Sequence, residues 1–188
     1  MTLGVAASAA KTGKEERGKD KPMKAYVVYE SMFGNTEQLA RAVAHAMGDV
    51  PVLEVGETTA ADLAQADLVV LGGPTHAFSM TRPTTRRDAH QQGASSDEEQ
   101  RGIRELIDEL PSVMSAPVAT FDTRVAKVRK LPGSAARAAS KELRRHHHAT
   151  VVAQESFYVE DTPGPLLDGE LVRAAIWGQR LVADLAHR

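Results

Sequence analysis

Residues 24–36, with the sequence KAYVVYESMFGNT, constrain the fold most, because an apolar run leads through a glycine-containing turn into a helical pattern. The run 25–29 lacks polar alternation, which is typical of a central parallel strand covered on both faces. From Thr36 onwards, apolar residues recur at helical spacing. The turn 31–36 is therefore predicted to join the carboxyl end of a strand to the amino end of a helix. Free backbone N–H groups and the helix dipole favour an anion at such a junction.

The pattern of the turn indicates which kind of anion site is possible. It has neither the G-x-x-x-x-G-K-[ST] pattern of a nucleoside triphosphate loop nor the G-x-G-x-x-G pattern of a dinucleotide fold, which disfavours both classes. It contains no Lys or Arg, so backbone amides and polar side chains would hold a phosphate. The alternative is an ordinary turn capped by Asn35 or Thr36. The candidate binding residues are Ser31, Met32, Phe33, Gly34, Asn35 and Thr36.

A second apolar run, 67–71, ends in the loop G-G-P-T-H-A-F at 72–78. Ligands bind outside the carboxyl ends of strands in open parallel sheets, so this loop is predicted to lie beside the first turn. Its two glycines permit close backbone approach, and its polar and flat side chains suit a ring system. The candidates here are Pro74, Thr75, His76, Ala77 and Phe78.

In these two loops the chain resembles the flavodoxin family. S-M-F-G-N-T at 31–36 is similar to the family's first flavin mononucleotide (FMN) loop, S/T-x-T/F-G-N-T, and G-G-P-T-H at 72–76 is similar to the second flavin loop of one branch. The resemblance can be followed along residues 23–187. It implies non-covalently bound FMN and the transfer of one or two electrons to redox protein partners.

The order of elements, strand then helix repeated five times, predicts the fold class. We expect an α/β, flavodoxin-like, three-layer α/β/α sandwich with a five-stranded parallel sheet of order 2-1-3-4-5. Response-regulator receivers share this architecture, but they need an acidic cluster after the first strand and an aspartate after the third. Here the third strand ends in two glycines, and Glu30 stands alone after the first, so the receiver interpretation is weak.

A third candidate loop follows the strand predicted at 116–121. The resemblance implies that Phe121, Asp122, Thr123 and Arg124 contact the pyrimidine edge of the flavin, although the match is one of position more than of residue type. Phe121 has an alternative place in the core. The tryptophan and tyrosine typical of the family are missing from the second and third loops. Arg124 would stabilise an anionic reduced flavin and raise its potential, unless it is part of a basic surface loop.

Residues 79–101 read as a long polar insertion, either a lid or a solvated charged loop. In a lid, Arg82, Arg86 and Arg87 could meet an acidic partner or the phosphate of a nicotinamide donor. Beyond the third loop, the strand 150–159 and the loop 160–166 lead to a helix capped by Asp168, with Leu171 on its buried stripe. The loop 160–166 could border the site or a partner surface, with a rigid turn into the last helix as the favoured alternative. Trp177 is predicted to anchor packing.

Composition sets the remaining limits. The 188 residues suit one domain, and a net charge of −2 gives no argument for nucleic acid or a membrane surface as a partner. With no cysteine, redox chemistry must come from a bound cofactor. Residues 1–22 lack apolar periodicity, so we expect a disordered tail before a domain at 23–188, with Met23 as a possible natural start. We expect a cytoplasmic protein, because no secretory signal pattern is present.

Three functions therefore stay open, with the FMN electron carrier first. The second is an NAD(P)H-dependent quinone or nitro reductase of the same fold, with the insertion as its lid. The third is a flavin-free binding module, because a fold does not establish a function. No metal site is predicted from His146, His147 and His148, because consecutive side chains do not share a helix face.

Overall fold

A parallel sheet of five strands forms the middle layer of the computed structural model, which describes residues 23–94 and 101–187. The spatial order of the strands is β2-β1-β3-β4-β5, and each neighbouring pair is parallel. This confirms the predicted sheet. The strands are β1 (Ala25–Tyr29), β2 (Val52–Glu54), β3 (Leu68–Pro74), β4 (Val118–Val125) and β5 (Val151–Val159). The predicted tail, residues 1–22, lies outside the described residues.

Helices cover both faces of the sheet, as predicted for a three-layer sandwich. They are α1 (Asn35–Ala46), α2 (Ala60–Ala64), α3 (Pro83–Gln91), α4 (Ile103–Asp108), α5 (Ala135–His146) and α6 (Glu170–Ala186). Helices α1 and α6 pack on one face, whereas the buried side chains of α2, α4 and α5 share a core on the other face. Short 3₁₀ turns occur at Val55–Glu57 and Ala126–Val128.

The central strands form because both of their faces are apolar. Along β1, Val28 points into the core under α4 and α5, and Val27 points into the core under α1 and α6. Both side chains are fully buried. Covering both faces is what a parallel sheet requires, and it explains why β1 and β3 read as uninterrupted apolar runs.

Three aromatic rings anchor the α6 side of the sheet. Phe121, Phe157 and Trp177 meet edge to face, with ring centroids 6.0–6.1 Å apart. This confirms the prediction that Trp177 anchors packing. Gly72 is paired with Phe121 in the sheet, and a Cβ there would collide with the Phe121 ring. Gly72 therefore makes room for a core ring, a different role from the close approach to a ligand that we predicted.

Several predicted boundaries were wrong. Residues 79–101 are not a structureless insertion, because α3 forms within them; residues 95–100 lie outside the described part. Strand β4 continues to Val125, so the predicted third loop is strand. Helix α6 begins after Gly169, which has φ 84°, and not directly after the predicted cap Asp168. Leu171, predicted on the buried stripe of this helix, is 43% exposed.

Gly178 sets the approach of α6 to α1 and yields a first prediction. Replacing a glycine inside a helix by alanine normally stabilises it by about 1 kcal/mol. At Gly178, however, the new Cβ would lie 2.6 Å from the carbonyl oxygen of Val43. We therefore expect Gly178→Ala to lower the free energy of unfolding by about 1–3 kcal/mol, measured by urea denaturation. The exposed neighbour Gln179→Ala is the control and should change it by less than about 0.5 kcal/mol; a more stable G178A protein would contradict the close contact.

Candidate functional site

The carboxyl ends of β1, β3 and β4 open into a cleft of about 230 Å³. Parallel pairing places these ends at one edge of the sheet, where the sequence analysis expected a site. Two of the predicted loops and the end of β4 meet there. The cleft is lined by Ser31, Met32, Phe33, Asn35, Thr36, Pro74, Thr75, His76, Ala77, Thr123, Arg124, Val125, Val159 and Thr162.

The first loop presents the amino end of α1 to this cleft. Gly34 precedes the helix with φ 79°, and no side chain of the described residues caps it. The first N–H groups of a helix have no acceptor within the helix. Ser31 lines the same cleft, and its hydroxyl is buried without a hydrogen-bond partner among the described residues. Neither Asn35 nor Thr36, the caps named in the alternative, caps this helix end with its side chain.

Two other polar side chains of this loop are held by the protein itself. The Thr36 hydroxyl lies 2.9 Å from the Thr123 hydroxyl in a buried contact between α1 and β4. The Asn35 amide donates to the carbonyl oxygen of Pro163 at 3.0 Å. A Cβ at Gly164 would collide with that amide at 2.7 Å, so Gly164 lets the loop 160–166 approach. These contacts fix the position of the first loop against its neighbours.

The second loop is a tight turn on the rim of the cleft. His76 and Ser79 exchange two backbone hydrogen bonds of 2.9 Å, and the central residues Ala77 and Phe78 have φ angles of 45° and 61°. Positive φ at both central positions defines a turn that normally uses Asn or Gly, so this turn is strained. Phe78 is 47% exposed and does not line the cleft.

His76 and Thr75 differ in what they offer the cleft. Burial lowers the pKa of His76, so its ring is neutral at pH 7. The Thr75 hydroxyl accepts a hydrogen bond from the N–H of Ala135 at 2.9 Å, and its own N–H donates to the carbonyl oxygen of Thr123 at 2.8 Å. Thr75 therefore links β3 to β4 and to the start of α5.

The residues predicted for the third loop, 121–124, divide into two that line the cleft and two that lie in the core. Phe121 is 1% exposed within the aromatic cluster, and Asp122 is fully buried with its Oδ2 accepting the N–H of Ala136 at 2.8 Å. Burial raises the pKa of Asp122. Neither residue lines the cleft, whereas Thr123 and Arg124 do. The strand continues past the predicted end, and this is why the group divides.

Three of the lining residues were not among the predicted binding residues. Val125 and Val159 end β4 and β5, and Thr162 lies in the loop 160–166. For that loop the sequence left open a border of the site, a partner surface or a rigid turn, and Thr162 places it at the cleft. The rule that the carboxyl ends of parallel strands lie at one edge could have placed them near the site. Apolar residues at strand ends, however, do not indicate a ligand by their chemistry.

One arginine of the predicted insertion, Arg86, has a structural role. Arg86 is 4% exposed, pairs with the carboxylate of Glu105 at 3.0 Å and donates to the Thr81 hydroxyl at 2.9 Å. The Thr81 hydroxyl donates to Glu30, which also accepts the N–H of Ile103 at 2.9 Å. Burial raises the pKa of Glu30. Arg86 therefore holds α3 and α4 against the end of β1 and cannot meet a partner or a donor phosphate.

Comparisons with known proteins agree with this architecture. No protein-family model and no curated protein matches the chain. A flavodoxin structure from the domain Archaea is 22% identical, with a TM-score of 0.58 over 88% of this chain and 100% of that one. A short-chain flavodoxin associated with a PDU bacterial microcompartment is 18% identical, with a TM-score of 0.60 over 87% and 99% of the two chains. Oxidised flavodoxin 1 from Bacillus cereus is 16% identical, with a TM-score of 0.57 over 88% and 98%.

This chain thus has the flavodoxin-like fold, an α/β/α sandwich whose parallel sheet has the order 2-1-3-4-5. At these identities the likeness concerns the fold. None of the helices in residues 23–94 and 101–187 has the length and apolar character needed to cross a membrane.

The buried cluster around Arg86 yields a second prediction. Removing one partner of a buried ion pair leaves the other charges uncompensated, which costs about 3–5 kcal/mol. We expect Arg86→Ala to destabilise the protein by that order, measured by chemical denaturation. Arg82→Ala, an exposed arginine of the same segment, is the control and should change stability by less than about 0.5 kcal/mol. Equal effects of the two variants would show that the cluster does not hold α3 and α4.

Proposed function

We propose that this protein binds FMN non-covalently in the cleft at residues 31–36, 74–77 and 123–125, and carries one or two electrons to a protein partner in the cytoplasm. The observation that carries this proposal is the buried Ser31 hydroxyl, which has no hydrogen-bond partner in the described part of the chain. An unsatisfied buried hydroxyl costs about 1–3 kcal/mol, so a ligand oxygen that accepts from it would recover that loss.

The rest of the first loop suits a phosphate group. The uncapped amino end of α1 supplies N–H donors and the positive end of a helix dipole. Helix α1 has 12 residues, long enough for a full dipole effect. The Thr36 hydroxyl makes one hydrogen bond, with the Thr123 hydroxyl. Because a hydroxyl has one proton and two lone pairs, it can make a second bond to a phosphate oxygen or from another donor. The donor set matches the monophosphate of FMN, and nothing in it requires a metal.

The cleft is small for a whole flavin. A volume of about 230 Å³ is below the roughly 300–1000 Å³ typical of pockets that enclose a ligand. Phe33 is the one aromatic side chain in its lining, joined by the neutral His76 ring. The phosphate end would be held firmly and part of the ring left outside. An exposed ring edge is what electron transfer to a protein partner needs.

Arg124 would set the electrostatics at the ring. It lines the cleft and is 8% exposed, so its charge is poorly screened. Bound FMN would supply the redox chemistry, and the protein would hold the ring and bias its charge states. A buried cation favours an anionic reduced ring and raises its reduction potential. The carrier would therefore be less reducing than one with carboxylates at that position.

A third prediction tests phosphate binding through Ser31. We expect Ser31→Ala to weaken FMN binding about tenfold, in the range of a lost hydrogen bond to a charged group, and to leave riboflavin binding unchanged. The free energy of unfolding should stay level or rise, because the variant removes an unsatisfied buried hydroxyl. Flavin fluorescence quenching gives the affinities, and thermal denaturation of the apoprotein gives the stability.

Ser140→Ala is the matched control. Its hydroxyl is equally buried but lies 2.8 Å from the Thr120 hydroxyl. Its loss should destabilise the protein by about 1 kcal/mol and leave the affinity ratio of FMN to riboflavin intact. If the purified wild-type protein is colourless and its apoprotein binds neither FMN nor riboflavin, the FMN proposal fails and only the fold is left.

A fourth prediction separates a carrier from a reductase. We expect the FMN-loaded protein to accept electrons from dithionite reversibly, and to oxidise NADPH or NADH with a quinone acceptor no faster than free FMN does. Stopped-flow absorbance in the flavin band measures both reactions. Multiple turnovers with either nicotinamide donor would instead establish the reductase alternative.

A further inference from the structure

A second cleft, of about 350 Å³, adjoins the first on the α5 side of the sheet. Four cationic side chains line it: Arg124, Arg129, Lys130 and Arg137. They come from β4, from the segment 129–134 and from the first turn of α5. Among the residues that the structure describes, no carboxylate is part of the lining. We call this space the cationic cleft.

Within the described part of the chain, none of these cations forms an ion pair with a carboxylate. Arg124 is 8% exposed, its Nη2 donates to the carbonyl oxygens of Val128 and Leu131, and its Nε has no partner in the described part. Asp122 lies nearby and interacts with Arg124 electrostatically, although burial raises the pKa of that carboxyl. A buried N–H donor without an acceptor, as at this Nε in the described part, is costly until a ligand oxygen accepts from it.

Arg137 occupies an unfavourable place in its helix. It lies in the first turn of α5, at the positive end of the helix dipole, and that turn has no acidic residue. A cation there destabilises the helix, and an anion would be favoured. The Ser134 hydroxyl already accepts the N–H of Arg137 at 3.3 Å, so the helix is capped and does not itself require the arginine.

Neutral hydrogen-bonding groups complete the wall. Ser134, Gln154 and Ser156 line the cationic cleft beside the charges, the last two from the edge strand β5. Such a concave mixture of fixed charge and neutral donors fits a small ligand with several acceptor oxygens. A protein surface would instead meet a flatter patch.

We propose that the cationic cleft binds the phosphate group of a phosphorylated small molecule. A phosphomonoester carries nearly two negative charges at pH 7 and three acceptor oxygens, which matches four cations and three neutral polar groups. The cationic cleft can take this ligand whether or not the first cleft binds FMN. Arg124 lines both clefts, so the phosphorylated ligand would lie next to the proposed flavin site.

The fifth prediction uses the apoprotein and three probes at constant ionic strength: inorganic phosphate, NADP⁺ and NAD⁺. Amide resonances of residues 129–137 report on the cationic cleft, and those of 31–37 report on the first cleft. We expect saturable shifts at 129–137 with phosphate and NADP⁺. If the ligand is a nicotinamide nucleotide, NADP⁺ should bind at least about tenfold more tightly than NAD⁺, through its additional phosphate. If phosphate binds and NADP⁺ gains nothing over NAD⁺, the site stands and its ligand is another phosphomonoester.

Charge-matched variants decide whether the cleft is responsible. The double variant Arg129→Gln, Lys130→Gln should weaken phosphate binding at 129–137 about tenfold or more. Arg144→Gln, Arg145→Gln removes the same charge from the exposed far end of α5 and should leave that binding unchanged. Arg137→Gln should raise the melting temperature of the ligand-free protein while weakening phosphate binding, which a purely structural residue would not do.

Two results would overturn the proposal: no saturable shift at 129–137 with phosphate or NADP⁺, or equal losses in the two double variants. Failure of FMN binding would appear separately, as absent shifts at 31–37 when FMN is added. Each cleft can therefore fail without the other.

Discussion

Parallel pairing of β1 with β3, and of β3 with β4, is the constraint on which the site depends. It carries three chain segments to the same edge of the sheet, although residues 31 and 123 are far apart in sequence. The buried contact between the Thr36 and Thr123 hydroxyls exists because of this pairing. Once the strands are in register, the amino end of α1 must face the ends of β3 and β4, and a space with unsatisfied donors follows.

The sequence was most informative where local chemistry and global fold agree. Apolar runs without alternation predicted β1 and β3, and helical spacing predicted α1, because both patterns are local. The first two loops lie at the cleft for the same reason: strand ends in such sheets share an edge. Phe121 and Asp122 could not be separated from Thr123 and Arg124 in this way, since the end of β4 depends on its hydrogen bonds to β3 and β5.

Predictions of burial and role were least reliable for polar residues, because their partners are distant in the chain. Arg86 looked like part of a solvated loop, yet it is buried by a carboxylate on α4 and a hydroxyl that also binds Glu30. A buried ionic cluster costs desolvation and gains geometric specificity only when every group is paired. Composition alone cannot show whether those pairs form. Gly72 is similar, since the sequence suggested room for a ligand and the structure uses that room for the Phe121 ring.

The strained turn at His76–Ser79 shares a wall with the segment before α5. A Cβ at Gly133 would lie 2.6 Å from the carbonyl oxygen of Phe78, so the two backbones touch without a side chain between them. His76 faces the first cleft, and Gly133 belongs to the cationic cleft. A movement of this shared wall would change the shape of both clefts at once. Occupancy of one cleft would then alter affinity in the other, and thermodynamic reciprocity makes any such influence equal in both directions.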